Sequence, residues 1–231
     1  YIKITFLRII DLGYNLIMDK NSINSIDAII TSIDNARLFI TSKKTKSYRE
    51  NPAKDIPESD MTPAEKSHAA ALMRINHAGE IAAQGLYEGQ AAFARDPVIK
   101  EQMQEAASEE LDHLNWCNER ITELNESPSK LSPIWYSGSL IIGSIAGFIG
   151  DKWSLGFIEE TENQVSKHLT RHLGSLPVQD KKSRKIVHQM RSEEEAHQEN
   201  AKKAGAEELP SLIKILMKIT SKIMTKTAYR I

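Results

Sequence analysis

Glu109-Glu110-Leu111-Asp112-His113 and Glu193-Glu194-Glu195-Ala196-His197 each set a glutamate three residues before a histidine, and the reading of these two stretches decides the fold. Residues three apart on an α-helix share a face, so Glu110 with His113, and Glu194 with His197, can each address one metal cluster. One helix upstream of each pair stands another glutamate: Glu80 precedes Glu110 by 30 residues and Glu162 precedes Glu194 by 32. The chain therefore states one unit twice, a glutamate, a turn, then Glu-x-x-His. A bundle with two Glu-x-x-His helices and a further glutamate on each of two others builds a carboxylate-bridged dimetal site. Glu159 and Glu160 compete with Glu162, and Glu159 lies on the same helical face, but the matched spacing favours Glu162. A third pair, Glu65 with His68, is set aside. Thr62-Pro63-Ala64-Glu65 reads as a helix start with Thr at the cap, Pro in the first position and Glu closing a capping box, which already explains Glu65.

Helix punctuation extends outward from these motifs. The spacing predicts a first helix from Thr62 to about Arg95 and a second from Asp96-Pro97 to about Asn125, before Ser127-Pro128. A third is expected from Asp151 to Leu173 with Gly174 as its C-terminal cap, and a fourth from Asp180 to Ala204, stopping at Gly205. A fifth starts near Pro210. No alternating strand pattern appears, so the class is all-α. Upstream, residues 1–17 read as a non-native extension before Met18, residues 25–40 as a short amphipathic helix, and the polar, Pro-bearing stretch 41–61 as a linker; residues 18–61 thus precede a main domain at 62–231.

Composition agrees with long helices in a soluble chain. The 231 residues include 11 Gly and 8 Pro, 40% are hydrophobic and 26% charged, which excludes disorder for the bulk of the chain. Thirty Lys and Arg balance 31 Asp and Glu, so nothing points to nucleic acid. Cys117 is the single cysteine, which excludes a disulfide scaffold and a Cys-rich metal site, and any metal must be held by His and carboxylates. Such donors suit iron or manganese.

Two segments stand apart. Leu131 to Gly150 is uncharged over twenty residues, the threshold length for a membrane span, yet nine of the twenty are Ser, Gly or Pro. Gly138, Gly143, Gly147 and Gly150 suit close packing on another helix, so an apolar crossover on a bundle is set against a membrane-contacting segment. In the last helix Lys214, Lys218, Lys222, Lys226 and Arg230 recur every fourth residue among Ile215, Leu216, Ile219, Ile223 and Met224. That pattern fits an anionic membrane surface, or equally a solvated basic face.

The stretches Leu72-Met73-Arg74-Ile75-Asn76-His77-Ala78-Gly79-Glu80, Glu109 to Leu114, Ser154 to Val165 and Met224 to Arg230 resemble the bacterial demethoxyubiquinone hydroxylase family over residues 62–231, and more weakly over 22–40. The resemblance implies a ferritin-like four-helix bundle with a di-iron site, in which residues 131–150 form the crossover and the C-terminal amphipathic helix is extra. It implies Glu80 and His113 at one iron, Glu162 and His197 at the other, and Glu110 and Glu194 as bridging carboxylates. The implied activity is hydroxylation of the ring of 2-polyprenyl-3-methyl-6-methoxy-1,4-benzoquinol in ubiquinone synthesis, with dioxygen as co-substrate and an external reductant, NADH or the quinol itself. A peripheral place on the cytoplasmic face of the cell membrane follows from the polyprenyl substrate, with residues of 131–150 and 215–224 lining its entrance and other ubiquinone-synthesis proteins as partners. A ferritin-type iron store, or a manganese catalase or rubrerythrin-like peroxidase, would share the bundle.

Further residues belong near the site. Tyr87 lies seven after Glu80 on the same stripe, placed to hydrogen-bond a ligand or meet substrate, or else to serve as a core tyrosine. His168 corresponds to a family histidine near the site, although six residues from Glu162 turn it off the ligand face. Asp112 and Glu193 stand beside ligands and could orient a histidine through its free ring nitrogen. His77, His172, His188 and Cys117 read as packed or polar-face residues.

Overall fold

The computed structural model describes residues 49–231. The readings made for residues 1–17, for Met18 as the start, for the helix at 25–40 and for the linker up to residue 48 lie outside the described residues. Among those described, every regular element is helical: α1 Pro63–Phe93, α2 Pro97–Glu123, α3 Ser132–Ile149, α4 Asp151–Ser175, α5 Lys181–Lys203 and α6 Ser211–Ala228.

The helices begin where the caps place them. Thr62 accepts from the Glu65 amide while Glu65 accepts from the Thr62 amide at 2.8 Å, completing the capping box. Asp96 accepts from the Val98 amide with Pro97 in the first turn of α2, and Asp180 accepts from the Ser183 amide at the start of α5. Asn125 follows α2 in the left-handed region at φ 60°, which its short polar side chain tolerates. Gly205 performs the same turn after α5 at φ 94°. Gly174, expected to cap the third of these helices, is instead an interior residue of α4, which continues to Ser175. The helix stops because Pro177 disfavours the helical region for Leu176, whose backbone is extended at φ −61°, ψ 139°.

α1 packs on α2, α2 on α5, α5 on α4 and α4 on α1, closing a ferritin-like four-helix ring; α3 crosses the outside of α1 and α6 rests lightly on α1 and α4. The α1–α3 seam is built by small residues. A Cβ on Gly85 would run into the carbonyl of Tyr136, one on Gly89 into that of Leu140, and one on Gly143 into that of Leu86, so the two backbones touch. Gly147 packs likewise against Gln90. Gly138 and Gly150, expected in the same seam, face open space. Gly150 has a different task, joining α3 to α4 at φ 151°, ψ 161°, a conformation nearly restricted to glycine. The opposite side of α3 leaves Ile134, Ile141, Ile145, Phe148 and Ile149 exposed, and α6 exposes Leu212, Ile215, Leu216, Ile219 and Ile223. α3 is the one helix among the described residues long and apolar enough to cross a membrane, at mean hydropathy 1.3.

The described part of the expected linker is docked on the bundle. Ala53 and Met61 are buried in the core beside Trp116 and Ile121. Glu58 pairs with buried Arg120 at 2.6 Å, and Asn51 donates to Glu119 at 2.9 Å. Polar composition misled the reading here, because the polar side chains find partners on α2.

Gly143→Ala is expected to destabilise the protein by about 1–3 kcal/mol or more through overpacking against α1. Gly138→Ala, at an open helical position, should stabilise it by about 0.5–1 kcal/mol. Urea midpoints that move in opposite directions bear this out, and equal shifts would show that the seam is not what constrains Gly143.

Candidate metal centre

Each helix of the ring contributes to one buried cluster. Glu80 comes from α1, Glu110 and His113 from α2, Glu162 from α4, and Glu194 and His197 from α5. Ligand atoms of Glu80, Glu110, His113 and Glu194 all lie within 4.8 Å of one another, and so do those of Glu110, Glu162, Glu194 and His197. The two groups overlap in Glu110 and Glu194. His113 Nδ1 stands 3.2 Å from Glu110 Oε2 and 3.2 Å from Glu194 Oε1, while His197 Nδ1 stands 3.3 Å from Glu110 Oε1 and 3.3 Å from Glu194 Oε2. Each shared carboxylate thus turns one oxygen to each imidazole.

The remaining ring nitrogens are held across the bundle. His113 Nε2 donates to Glu193 of α5 at 2.6 Å, and His197 Nε2 donates to Glu109 of α2 at 2.7 Å. With Nε2 as the donor, the Nδ1 of each ring faces carboxylate oxygens, so the position calls for positive charge there, either a proton on Nδ1 or a metal ion between ring and carboxylates. Glu110 Oε1 and Glu194 Oε1 are buried and lack a hydrogen bond. Burial first, and then the facing charges of Glu110 and Glu194, push the carboxyls of Glu80 and Glu162 well above the usual range. Burial alone would push His113 down, yet the carboxylates around it hold it well above its ordinary value. The cluster demands positive charge, and its hard oxygen donors with one imidazole on each side fit a pair of iron or manganese ions.

Tyr87 donates its hydroxyl to Glu162 Oε1 at 2.6 Å, fully buried between α1 and α4. Glu159 is not in the cluster; it meets Lys202 at 3.4 Å and Gln198 at 3.2 Å, whereas Glu162 points inward. Glu65 closes its cap, and His68 reaches the Tyr229 hydroxyl at 2.9 Å. His168 is also outside the cluster. Its ring lies 3.9 Å from that of His172, in a groove of about 970 Å³ between α4 and α6 that Lys167, Lys218 and Lys222 also line. The 600° of helical turn from Glu162 carries it off the ligand face. Glu193 does hold a histidine ring, but that of the opposite helix, and Asp112 binds Arg49 at 2.7 Å rather than a ring.

Glu109 and Arg49 were not anticipated. Glu109 carries the signal that marks Glu193, since each immediately precedes the glutamate of a Glu-x-x-His pair. Arg49, 63 residues from Asp112 and 144 from Glu193, carries none. Burial raises the Glu193 carboxyl, but hydrogen bonds from His113, Arg49 and Gln189 bring it down to about 2, so it stays charged.

A cavity of about 690 Å³ reaches this cluster, walled by Tyr87, Met103, Ala106, Leu155 and Ile158 and touching Glu109 and His197. Neither 131–150 nor 215–224 contributes to its lining, contrary to expectation, because α3 and α6 sit outside the four-helix ring.

A family model described as ubiquinone biosynthesis protein COQ7 matches residues 67–228. A 3-demethoxyubiquinol 3-hydroxylase of Legionella pneumophila is 50% identical over 207 residues, covering 89% of this chain and 97% of the relative. Proteins of the same name from Chromobacterium violaceum and Ralstonia pickettii are 49% and 48% identical, each covering 89% of this chain and 100% of the relative.

Glu110→Ala, which removes an oxygen from both halves at once, is expected to lower bound iron sharply with helical content intact. Glu162→Gln should impair metal binding and Glu159→Gln should not. Glu65→Ala should cost only capping energy, about 0.5–2 kcal/mol. Iron analysis of the four purified variants checks this; equal iron loss in Glu65→Ala and Glu110→Ala would overturn the choice of pairs.

Proposed function

Since the chain belongs to the ubiquinone biosynthesis protein COQ7 family, we propose that it is a monooxygenase adding a ring hydroxyl to 2-polyprenyl-3-methyl-6-methoxy-1,4-benzoquinol. The observation that carries the reading is the pair of shared carboxylates, Glu110 and Glu194, each facing both histidines. The hydroxylase domain spans residues 62–231, with the segment from Arg49 to Met61 docked on it. Two iron ions per chain would be held by Glu80 and His113 on one side and Glu162 and His197 on the other, with Glu110 and Glu194 shared. Bound there, iron supplies the reduction of dioxygen, with electrons from an external reductant, NADH or the quinol itself.

The protein's own groups prepare the site for that chemistry. Glu193 and Glu109 each accept from the Nε2 of one imidazole ring, which turns its Nδ1 inward. The Tyr87 hydroxyl holds the Glu162 carboxylate in place and stays protonated, since burial and the neighbouring carboxylates push the phenol well up. Met103, Leu155 and Ile158 form an apolar patch in a cavity that Glu105, Glu109 and Glu193 also line, a surface against which a quinol ring can pack. His168 has no contact with this cavity, so Tyr87 is the residue outside the six ligands that we assign to the reaction.

We place the enzyme peripherally on the cytoplasmic face of the cell membrane. A long prenyl tail is held in the bilayer by about 0.8 kcal/mol per buried methylene, so the protein must go to its substrate. The exposed apolar rows of α3 and α6 and the lysines of α6 support that placement. The same rows offer surfaces to other ubiquinone-synthesis proteins.

Deleting the gene and profiling quinones by mass spectrometry tests the activity: the demethoxy intermediate should accumulate, and an unchanged ubiquinone pool would contradict the reading. For the membrane, replacing Lys214, Lys218, Lys222 and Lys226 with Gln should weaken binding to anionic vesicles, at about 1 kcal/mol per lysine before screening by salt. Unchanged sedimentation at moderate salt would shift the anchor to the exposed face of α3.

A further inference from the structure

The two halves of the cluster match in sequence but not in support. On one side, Arg49 lies in the segment docked before α1 and forks onto Glu193, with Nη1 to Oε1 at 2.7 Å and Nη2 to Oε2 at 3.1 Å. The same residue is pinned to Asp112 through its amide at 3.3 Å and Nε at 2.7 Å, and its guanidinium lies 5.0 Å over the Trp116 ring. Gln189 adds a donor to Glu193 at 2.7 Å. Glu193 in turn holds His113, whose side chain is fully buried. On the other side, Glu109 holds His197, and among the described residues no arginine bonds it. Its side chain is 47% exposed against 17% for Glu193. A planar fork fixes a carboxylate in position and angle, whereas a lone, half-solvated carboxylate retains its rotamers.

We infer that Arg49 is a positioning residue that makes the two metal positions unequal: by locking Glu193 it fixes the His113 ring, while the His197 ring remains adjustable beside the cavity. The tighter ion therefore sits on the Glu80–His113 side. The cavity is lined by the supports of both sides, Arg49 and Glu193 as well as Glu109, but His197 is the only proposed ligand that lines it, and the Glu162–His197 side is the one that can rearrange. The inference rests on the dimetal reading above.

The test is an anaerobic titration of the full chain with ferrous iron against a chelator, read as two stepwise affinities. Wild type should bind two ions with distinct affinities. Arg49→Leu should weaken the tighter step by about 10–100-fold, the usual effect of losing a group that orients a ligand, and leave the weaker step in place. Arg49→Lys restores charge without the fork and should recover only part of that loss. Asp112→Asn, which releases Arg49 from its other anchor, should shift the same step by less, and serves if Arg49→Leu folds poorly. Glu109→Gln should weaken the other step. Wild-type affinities in both Arg49→Leu and Asp112→Asn, equal weakening of both steps, or full recovery by Arg49→Lys would overturn the inference alone. A wild-type protein that binds fewer than two ions would remove the dimetal reading and this inference with it.

Discussion

Four carboxyl groups share a desolvated space with two imidazoles, and the rest of the bundle is arranged around that fact. Removing carboxylates from water is costly unless opposite charge accompanies them, and Glu80, Glu110, Glu162 and Glu194 are all buried. The protein brings them together from four different helices, so their mutual repulsion is borne by the packing of the whole ring. Metal ions between Glu110 and Glu194 would convert this repulsion into a cross-link of α2 to α5, with α1 and α4 attached through Glu80 and Glu162. Folding and metal binding are then linked, because the unfolded chain presents no such site.

The scaffold that meets this demand is rigid in one place and open in another. The glycine seam brings α3 onto α1 at backbone contact and steadies the helix that carries Glu80 and Tyr87. That same seam commits only one face of α3, and its other face stays apolar and exposed. α6 sets its lysines beside the α4 groove and leaves Ile219 and Ile223 exposed. Surfaces of this kind are uncommon on a chain without a partner or a membrane to cover them. The crossover helix thus stands between a buried cluster inside and an apolar surface outside.

Much of this was legible because its causes are local. Thr62 with Glu65, Asp96 with Pro97 and Asp180 with Ser183 are contacts between near neighbours, and the helix starts followed from them. The repeat of glutamate and Glu-x-x-His pointed to Glu162 over Glu159, where helical periodicity alone could not decide. Tyr87 shared a stripe with Glu80, and the structure sets its hydroxyl on the glutamate of a different helix. Competing causes explain the misreadings. Gly174 lost its capping role to Pro177, and the polar segment from Arg49 to Met61 read as a linker because its partners on α2 are distant in sequence. His168 drew attention by resemblance, yet its spacing from Glu162 had already set it on another face. Long-range side-chain pairs such as Arg49 with Glu193 leave no periodic trace, so only the folded chain reveals them.

The central claim is that Glu110 and Glu194 belong to both metal positions at once. Mössbauer spectroscopy of the protein loaded with isotopically enriched iron addresses it directly, since shared carboxylates couple the spins of neighbouring ions. The account predicts two irons per chain and a spin-coupled oxidised pair. A single iron per chain, or two magnetically independent ferric ions, would contradict it.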